Sequence, residues 1–412
     1  MNSRSRCGRA AARRSMTRTM NAFPRHVYVH VPFCRHRCGY CDFALVAGRD
    51  DLIDRYFAAL ARELDRLSPA VATVCPSTGG AAAACLEPAT LYVGGGTPSH
   101  LGPDGLRRLF DLLRGRLVPA AEAEITVESN PLDVTNAFVA AARQCGVTRV
   151  SLGGQSLDAA TLRALDRDHA PDDVRAAVGR LRDAHLTVNL DLMTAAPGQT
   201  RAAVERDLDA ALALDVQHVS VYCLTWEKGT AFESARRRGQ LAPVDDDLER
   251  VMFETAIDRL EAAGFEHYEV SNFARPGHRC RHNEAYWDLR PWEAFGPGAA
   301  RFDGRTRITN HRSPTTWMKG VLAGGECVGD VDAMTDEAAA RERLVVGLRR
   351  RDGIERRAFR AASGHDADSL AGSAIARWVA QGLATDDGNR IRLTRDGLLV
   401  SDGLWADVLA DR

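Results

Sequence analysis

Six short apolar or alternating runs recur along the first two-thirds of the chain: HVYVHVP (26–32), TLYVGGG (90–96), EITVESN (124–130), RVSLGGQS (149–156), TVNLDLM (187–193) and HVSVYCL (218–224). Each has strand length and is rich in Val, Thr, Tyr and Leu, the composition of a pleated, packed surface. Between them, stretches such as LIDRYFAALARELDRL (52–67) and AAVERDLDAALAL (202–214) place apolar residues three and four apart, the period of an amphipathic helix. Strand and helix in alternation predict parallel strands joined by right-handed crossovers, an α/β fold of TIM-like barrel or open-sheet type. From about residue 335 the pattern changes. DEAAARERLVVGLRRRDG predicts a helix ending at Gly353, further helical stretches follow near 355–363 and 369–381, a hairpin turns at Asp387-Gly388-Asn389, and a last helix runs to about 411. Helices followed by a hairpin wing predict a winged-helix-like α+β unit, read here as a structural or partner-binding cover ahead of a DNA reader.

Composition narrows the function classes. The 412 residues are 45% hydrophobic and 26% charged with a net charge of -1, so no basic excess argues for nucleic acid. No apolar run is long enough to span a bilayer. Ten cysteines are present, but several sit inside apolar runs and no secretory signal precedes them, which points to a reducing, cytoplasmic setting. Residues 1–25 carry seven arginines and no acid. Such a start resembles a transit peptide; a disordered basic tail, or an upstream start with Met16 or Met20 as the true beginning, suits the Ala/Arg-rich chain better. CPSTGGAAAAC (75–85) reads as a surface loop.

The polar residues gather where the strands end. HVPFCRHRCGYCDF (30–43) follows the first run and holds Cys34, Cys38 and Cys41; GGGT (94–97) ends the second, Glu128 and Asn130 the third, Gln155 the fourth and Asp191 the fifth. In barrels of parallel strands that rim is the active face. Three thiolates are one short of a closed zinc site unless His30 or His36 joins them. An iron–sulfur cubane held by three cysteines leaves one iron open, and suits the spacing better. Gly39 is expected to ease the turn, with Tyr40 and Phe43 shielding the metal. The glycines of GGGT are expected to bring bare backbone N–H and carbonyl groups to a ligand.

C-x3-C-x2-C after the first strand resembles the signature of the radical S-adenosylmethionine (SAM) superfamily. The chain looks specifically like the branch that contains oxygen-independent coproporphyrinogen oxidases and the HemW haem chaperones. The likeness is carried in order by GGGTPS (94–99), ITVESNP (125–131), SLGGQS (151–156), LDRDH (165–169), NLDLM…PGQT (189–200), HYEVSNFARPG (267–277) and RHNEAYW (281–287). It implies a partial (β/α)6 TIM-like barrel with a winged-helix-like C-terminal domain: a core at 26–225, a barrel-completing and candidate haem or substrate region at 226–330, and the last domain at 331–412. It implies a 4Fe–4S cluster on Cys34, Cys38 and Cys41, and SAM held by Tyr28, Tyr40, Gly95, Gly96, Thr97, Glu128, Gln155, Arg167 and Asp191. The chemistry implied is one-electron cleavage of the sulfonium. No catalytic side chain beyond these is assigned.

Within the branch two readings compete, an oxidase that decarboxylates propionate side chains and a haem-trafficking protein. The oxidases carry a fourth cysteine two residues beyond the third; here Phe43 stands there. RHNEAYW matches a pattern associated with HemW, with His282 as a candidate axial ligand for haem and Tyr286 and Trp287 as stacking walls. The reading is a haem chaperone for membrane or respiratory haemoproteins. Its partners are haem or a related tetrapyrrole and recipient apo-haemoproteins, with peripheral membrane association, no nucleic acid and the oligomeric state left open. Some positions depart from the family: Ala195 and Ala196 replace Gly and Leu, Gly154 replaces Val, and Ala300 and Arg301 stand where Gly-Ala-His-Ser is usual.

Overall fold

The computed structural model describes residues 24–67, 73–74 and 84–409. The basic tail, save its last two residues, and most of the 75–85 patch lie outside them. All six runs are strands: β1 His26–Val31, β2 Thr90–Gly95, β3 Glu124–Ser129, β4 Arg149–Gln155, β5 Thr187–Thr194 and β6 His218–Cys223. They pair in parallel in chain order, with Val29 opposite Val93, Val127 opposite Val150, and Leu190 opposite Val219. Some of the helices between them begin at side-chain caps: Thr135 accepts from the Phe138 N–H and Thr200 from that of Ala203. Each such cap is worth about 1 kcal/mol.

The region 226–330 carried no predicted elements and proves rich in short strands. β7 Glu266–Glu269 and β8 Asn272–Ala274 extend the sheet antiparallel beyond β6, while β9 Glu293–Phe295 adds in parallel beside β1. The nine strands run β7-β8-β6-β5-β4-β3-β2-β1-β9. No pairing between described residues joins the two ends, so the barrel is partial, with its open side next to β1 and β9. A second sheet, β10 Ala300–Phe302, β11 Thr306–Asn310 and β12 Val328–Ala333, is attached there. Glu63 of the first long helix anchors it: this buried carboxylate accepts from the Gly296 N–H and from Asn310 Nδ2, both at 2.7 Å.

Val27, Val29, Leu91, Val127 and Val188 pack with the flanking helices into one core. Leu344, Phe359, Trp378 and Ile391 form a separate core in the C-terminal region. Its helices Asp336–Leu348, Arg356–Ser363 and Ala367–Ala380 and its hairpin follow the predicted pattern, except that the first stops at Leu348 and not at Gly353, and Asp387 Oδ1 accepts from the Asn389 and Arg390 N–H groups in the turn. The expected single last helix is broken instead into Arg395–Leu399, Ser401–Leu404 and Ala406–Leu409. Val400, at φ −108° and ψ 12°, leaves the helical region between the first two. The C-terminal core is tied to the barrel by Arg343, whose guanidinium donates to the carbonyls of Asp288 (2.6 Å) and Leu289 (3.2 Å), and by an Arg395–Asp258 pair.

Candidate functional site

The cysteine loop leaves β1 and lines a cavity of about 590 Å³ at the C-terminal ends of the strands. Cys34 is buried, its Sγ 3.1 Å from Thr97 Oγ1, while Cys38 and Cys41 are half-buried. Arg37 ties the loop together, donating to the carbonyls of Cys41 (3.1 Å), Phe43 (3.3 Å) and Leu45 (2.8 Å). Arg167 reaches in from the loop after helix Ala159–Ala164, donating to Cys38 Sγ at 3.4 Å and to the Gly153 carbonyl at 2.9 Å. Gly39 has a different reason from the one expected: the Phe232 ring occupies the space a Cβ would need, and Tyr40 packs edge-on against that ring. Phe43 does not shield the loop. It is 62% exposed at the cavity mouth.

Burial pushes the Cys34 thiol up to about 12 and raises Cys41 as well. Thiolates here therefore need cationic compensation, which iron supplies. Among the described residues no three His, Cys, Asp or Glu side chains converge as a single ion demands. All three cysteines line the cavity. Arg167 Nε is buried without a partner, a donor left over for an anionic group in the cavity. Three free thiols, two of them with polar contacts to their sulfurs, and a spare guanidinium donor fit a three-cysteine cluster whose open iron faces a carboxylate-bearing cofactor.

The GGGT turn works otherwise than expected. The Gly95 N–H donates to Glu128 Oε2 (2.9 Å), that of Gly96 to the Val31 carbonyl (2.8 Å) and that of Thr97 to the Phe33 carbonyl (2.7 Å). Those donors are spent inside the protein. The glycines serve close approach instead: Gly95, at φ +115°, lies against the His30 ring, and a Cβ on Gly96 would meet the Phe33 carbonyl at 2.7 Å. Gly96 and Thr97 line the cavity; Gly95 sits behind it, holding Glu128. Glu128 also accepts from the Tyr92 hydroxyl at 2.9 Å, and burial lifts its carboxyl to about 7.

Asp191 faces the same cavity and has the polar partners its apolar strand called for. Asn189 Nδ2 donates to Oδ1 at 2.8 Å and the Ser151 hydroxyl to Oδ2 at 3.2 Å, while burial raises its carboxyl to about 6. Gln155 ends β4 in the left-handed region at φ +62°, which turns its side chain onto the rim. Apart from Asp191, sequence reasoning missed the lumen below. Arg149, Ser151 and Gly153 on β4, Asn189, Asp191 and Met193 on β5, and His218, Ser220 and Tyr222 on β6 all line the cavity. The signal was present as alternate positions in three apolar strands, the period that faces one side of a sheet.

Two expected ligand residues lie elsewhere. Tyr28 borders a second concavity, not the rim cavity, with its hydroxyl 3.0 Å from His30 Nδ1. His282 is a core residue: its Nδ1 is 2.8 Å from Thr90 Oγ1, its Nε2 is 3.0 Å from the Tyr286 hydroxyl, and burial lowers it to about 3. With both ring nitrogens engaged inside the barrel, it is not poised as an axial ligand. Its backbone N–H donates to Glu124, which seats the start of helix Arg281–Trp287.

Six parallel strands with a three-cysteine rim define the class, and the comparisons agree. The profile described as radical SAM superfamily matches residues 28–211, and that described as HemN C-terminal domain matches 334–400. Proteins named haem chaperone HemW are 39% identical in Mycobacterium tuberculosis over 94% of this chain and 95% of theirs, and 34% identical in Escherichia coli over 94% and 99%. The solved structure of coproporphyrinogen III oxidase (HemN) from Escherichia coli covers 94% of this chain and 91% of its own, with a TM-score of 0.81 at 21% identity, a likeness of fold. The chain therefore belongs to the radical SAM superfamily and, within it, to the HemW family. That membership carries a 4Fe–4S cluster and SAM.

Proposed function

We propose that the chain binds haem or a related tetrapyrrole and hands it to haem-requiring apo-proteins of the membrane or respiratory chain. The observation that supports this reading most is the likeness, at 31–39% identity over 93–94% of the chain, to proteins named as haem chaperones. Phe43, standing where the oxidases place a fourth cysteine, agrees with it. No described helix is long and apolar enough to cross a membrane, so contact with a membrane-bound recipient would be peripheral.

When bound, the cluster on Cys34, Cys38 and Cys41 supplies one-electron chemistry with SAM. This chain's own residues do the rest. Arg37 holds the loop shape, Arg167 places a guanidinium beside Cys38, and Glu128 and Asp191 offer carboxylates to the cationic parts of SAM. Tyr40 and Phe232 exclude water from one side of the loop. The test is a haem titration of anaerobically reconstituted protein beside an assay for coproporphyrinogen decarboxylation. Haem binding without decarboxylation is expected; turnover of the porphyrinogen would replace this reading with the oxidase.

A further inference from the structure

The second concavity, of about 570 Å³, lies beside β1 at the open side of the barrel. Three parts of the chain build it: Tyr28 and His30 of β1, the helix end and loop carrying Tyr286, Trp287, Leu289 and Trp292, and the β10–β11 face, closed by Val346 of the C-terminal domain. Its wall is aromatic and tightly packed, with the Tyr286 and Trp292 rings 4.6 Å apart and the buried Phe302 ring behind Trp292 at 4.8 Å. Two cations border it. Arg307 lies over the Phe302 ring at 5.3 Å and pairs with Glu342 at 2.9 Å. Arg312 is 63% exposed and pairs with Asp42 at 3.1 Å. A surface pair of this kind contributes little and yields easily to another carboxylate. Phe43 and Arg312 line this groove and the rim cavity alike, so the two share one lip.

An apolar, aromatic slot with arginines at its border suits a flat ligand with apolar faces and carboxylate arms. Metal ligation is another matter. No sulfur is among the lining residues, and the one imidazole, His30, has Nδ1 against the Tyr28 hydroxyl and Nε2 2.8 Å from the Ala44 carbonyl. The two lining phenols are likewise engaged, Tyr28 on His30 and Tyr286 on His282 Nε2, and burial keeps both protonated. We propose that this groove, and not His282, is the cargo site, and that it grips the macrocycle and carboxylates of a tetrapyrrole without ligating its metal. The proposal rests on the haem-chaperone reading above. A hold of this kind suits transfer, because the recipient's own iron ligand is then the stronger one.

The test titrates reconstituted protein with haem and with iron-free protoporphyrin, reading the Soret band and quenching of tryptophan fluorescence. Both are expected to bind within about threefold of each other. Thr309→Trp, which fills the groove from the middle strand of the second sheet, and Arg312→Glu are each expected to weaken both ligands by about tenfold or more, with the cluster absorption retained. Trp287→Ala serves as a second cut into the wall. Haem binding to the wild type that all three variants leave within about twofold would overturn the groove while leaving the chaperone reading intact. Haem binding roughly a hundredfold tighter than the iron-free ring would place a metal ligand in the site and overturn it as well. A wild type that binds neither ring would remove the chaperone reading, and the groove proposal with it.

Discussion

The rim cavity and the groove adjoin, and they are built from opposite materials. The rim has thiols, two carboxylates with raised affinity for protons, and a guanidinium with an unmet donor. The groove has packed rings, aliphatic side chains and arginines at its edge. Polar groups were placed in the first at real desolvation cost, which only a charged occupant offsets. The second costs little to keep empty and favours an apolar occupant. Proximity alone therefore does not make the two one active site: the chemistry of the walls assigns them different guests.

Several experiments press on that contrast. Cys38→Ala has the largest expected effect, complete loss of the 4Fe–4S absorption band after anaerobic reconstitution; a preparation that keeps the band, or holds zinc without iron, would sink the cluster assignment. Glu128→Gln keeps the shape and removes the charge, and calorimetry should show SAM binding weakened by about tenfold, the loss of a charged hydrogen bond, while tetrapyrrole affinity stays. Equal losses at both sites would erase the distinction between them.

A pH series sharpens it further. The Glu128 and Asp191 carboxyls sit at about 7 and about 6, above their ordinary 4.5 and 3.8, because burial disfavours the charge. Between the ordinary and raised values the folded protein holds protons that the unfolded chain has released. The contribution of these two carboxyls to the stability of the cofactor-free protein should thus fall as pH rises from about 4 to 7, read for Glu128 as the difference between wild type and Glu128→Gln, while buried histidines such as His282, held below 6.5, contribute with the opposite sign. SAM affinity should move the other way from pH 6 to 8, gaining up to about tenfold as Glu128 ionises and about twofold from Asp191, with the groove's ligand unaffected over that range. A flat SAM profile would show that neither carboxylate meets the cofactor.

The departures from the family predict smaller shifts, read by urea denaturation. A Cβ on Gly154 would meet Leu190 Cδ1 at 2.7 Å, so restoring the usual valine should cost about 1–3 kcal/mol by overpacking behind the rim. Ala195 stands at φ +60°, where the family has glycine. Ala195→Gly relieves the left-handed strain but gives up a buried methyl, and should change stability by less than about 1 kcal/mol.

The part of the fold legible in the sequence was the part with a regular period. All six strands fall within a residue of the positions their patterns predict, because long stretches of one face are buried against one core; the first long helix starts one residue late and ends three early. The short strands between 266 and 333 left no such trace: three to six residues, many of them only partly buried, carry too little pattern to distinguish from loop. The cysteines were legible because their chemistry needs those residue types in close succession. His282 misled for a physical reason, since a buried histidine bonded at both nitrogens reads like a metal ligand in one dimension. The groove was invisible because its walls come from residues 28 to 346 and meet only in three dimensions.

Arg37 holds the carbonyls of Cys41 and Phe43 with the same terminal nitrogen, so the last cluster ligand and the shared lip ride on one short strap. A cargo resting against Phe43 then cannot be thermodynamically independent of the metal loop. Whatever factor the assembled cluster adds to cargo affinity, the cargo must add to cluster retention, because coupling between two bound groups is reciprocal. A cluster that tightens cargo binding would thus be held, in the loaded carrier, more tightly against a chelator at equilibrium by the same factor.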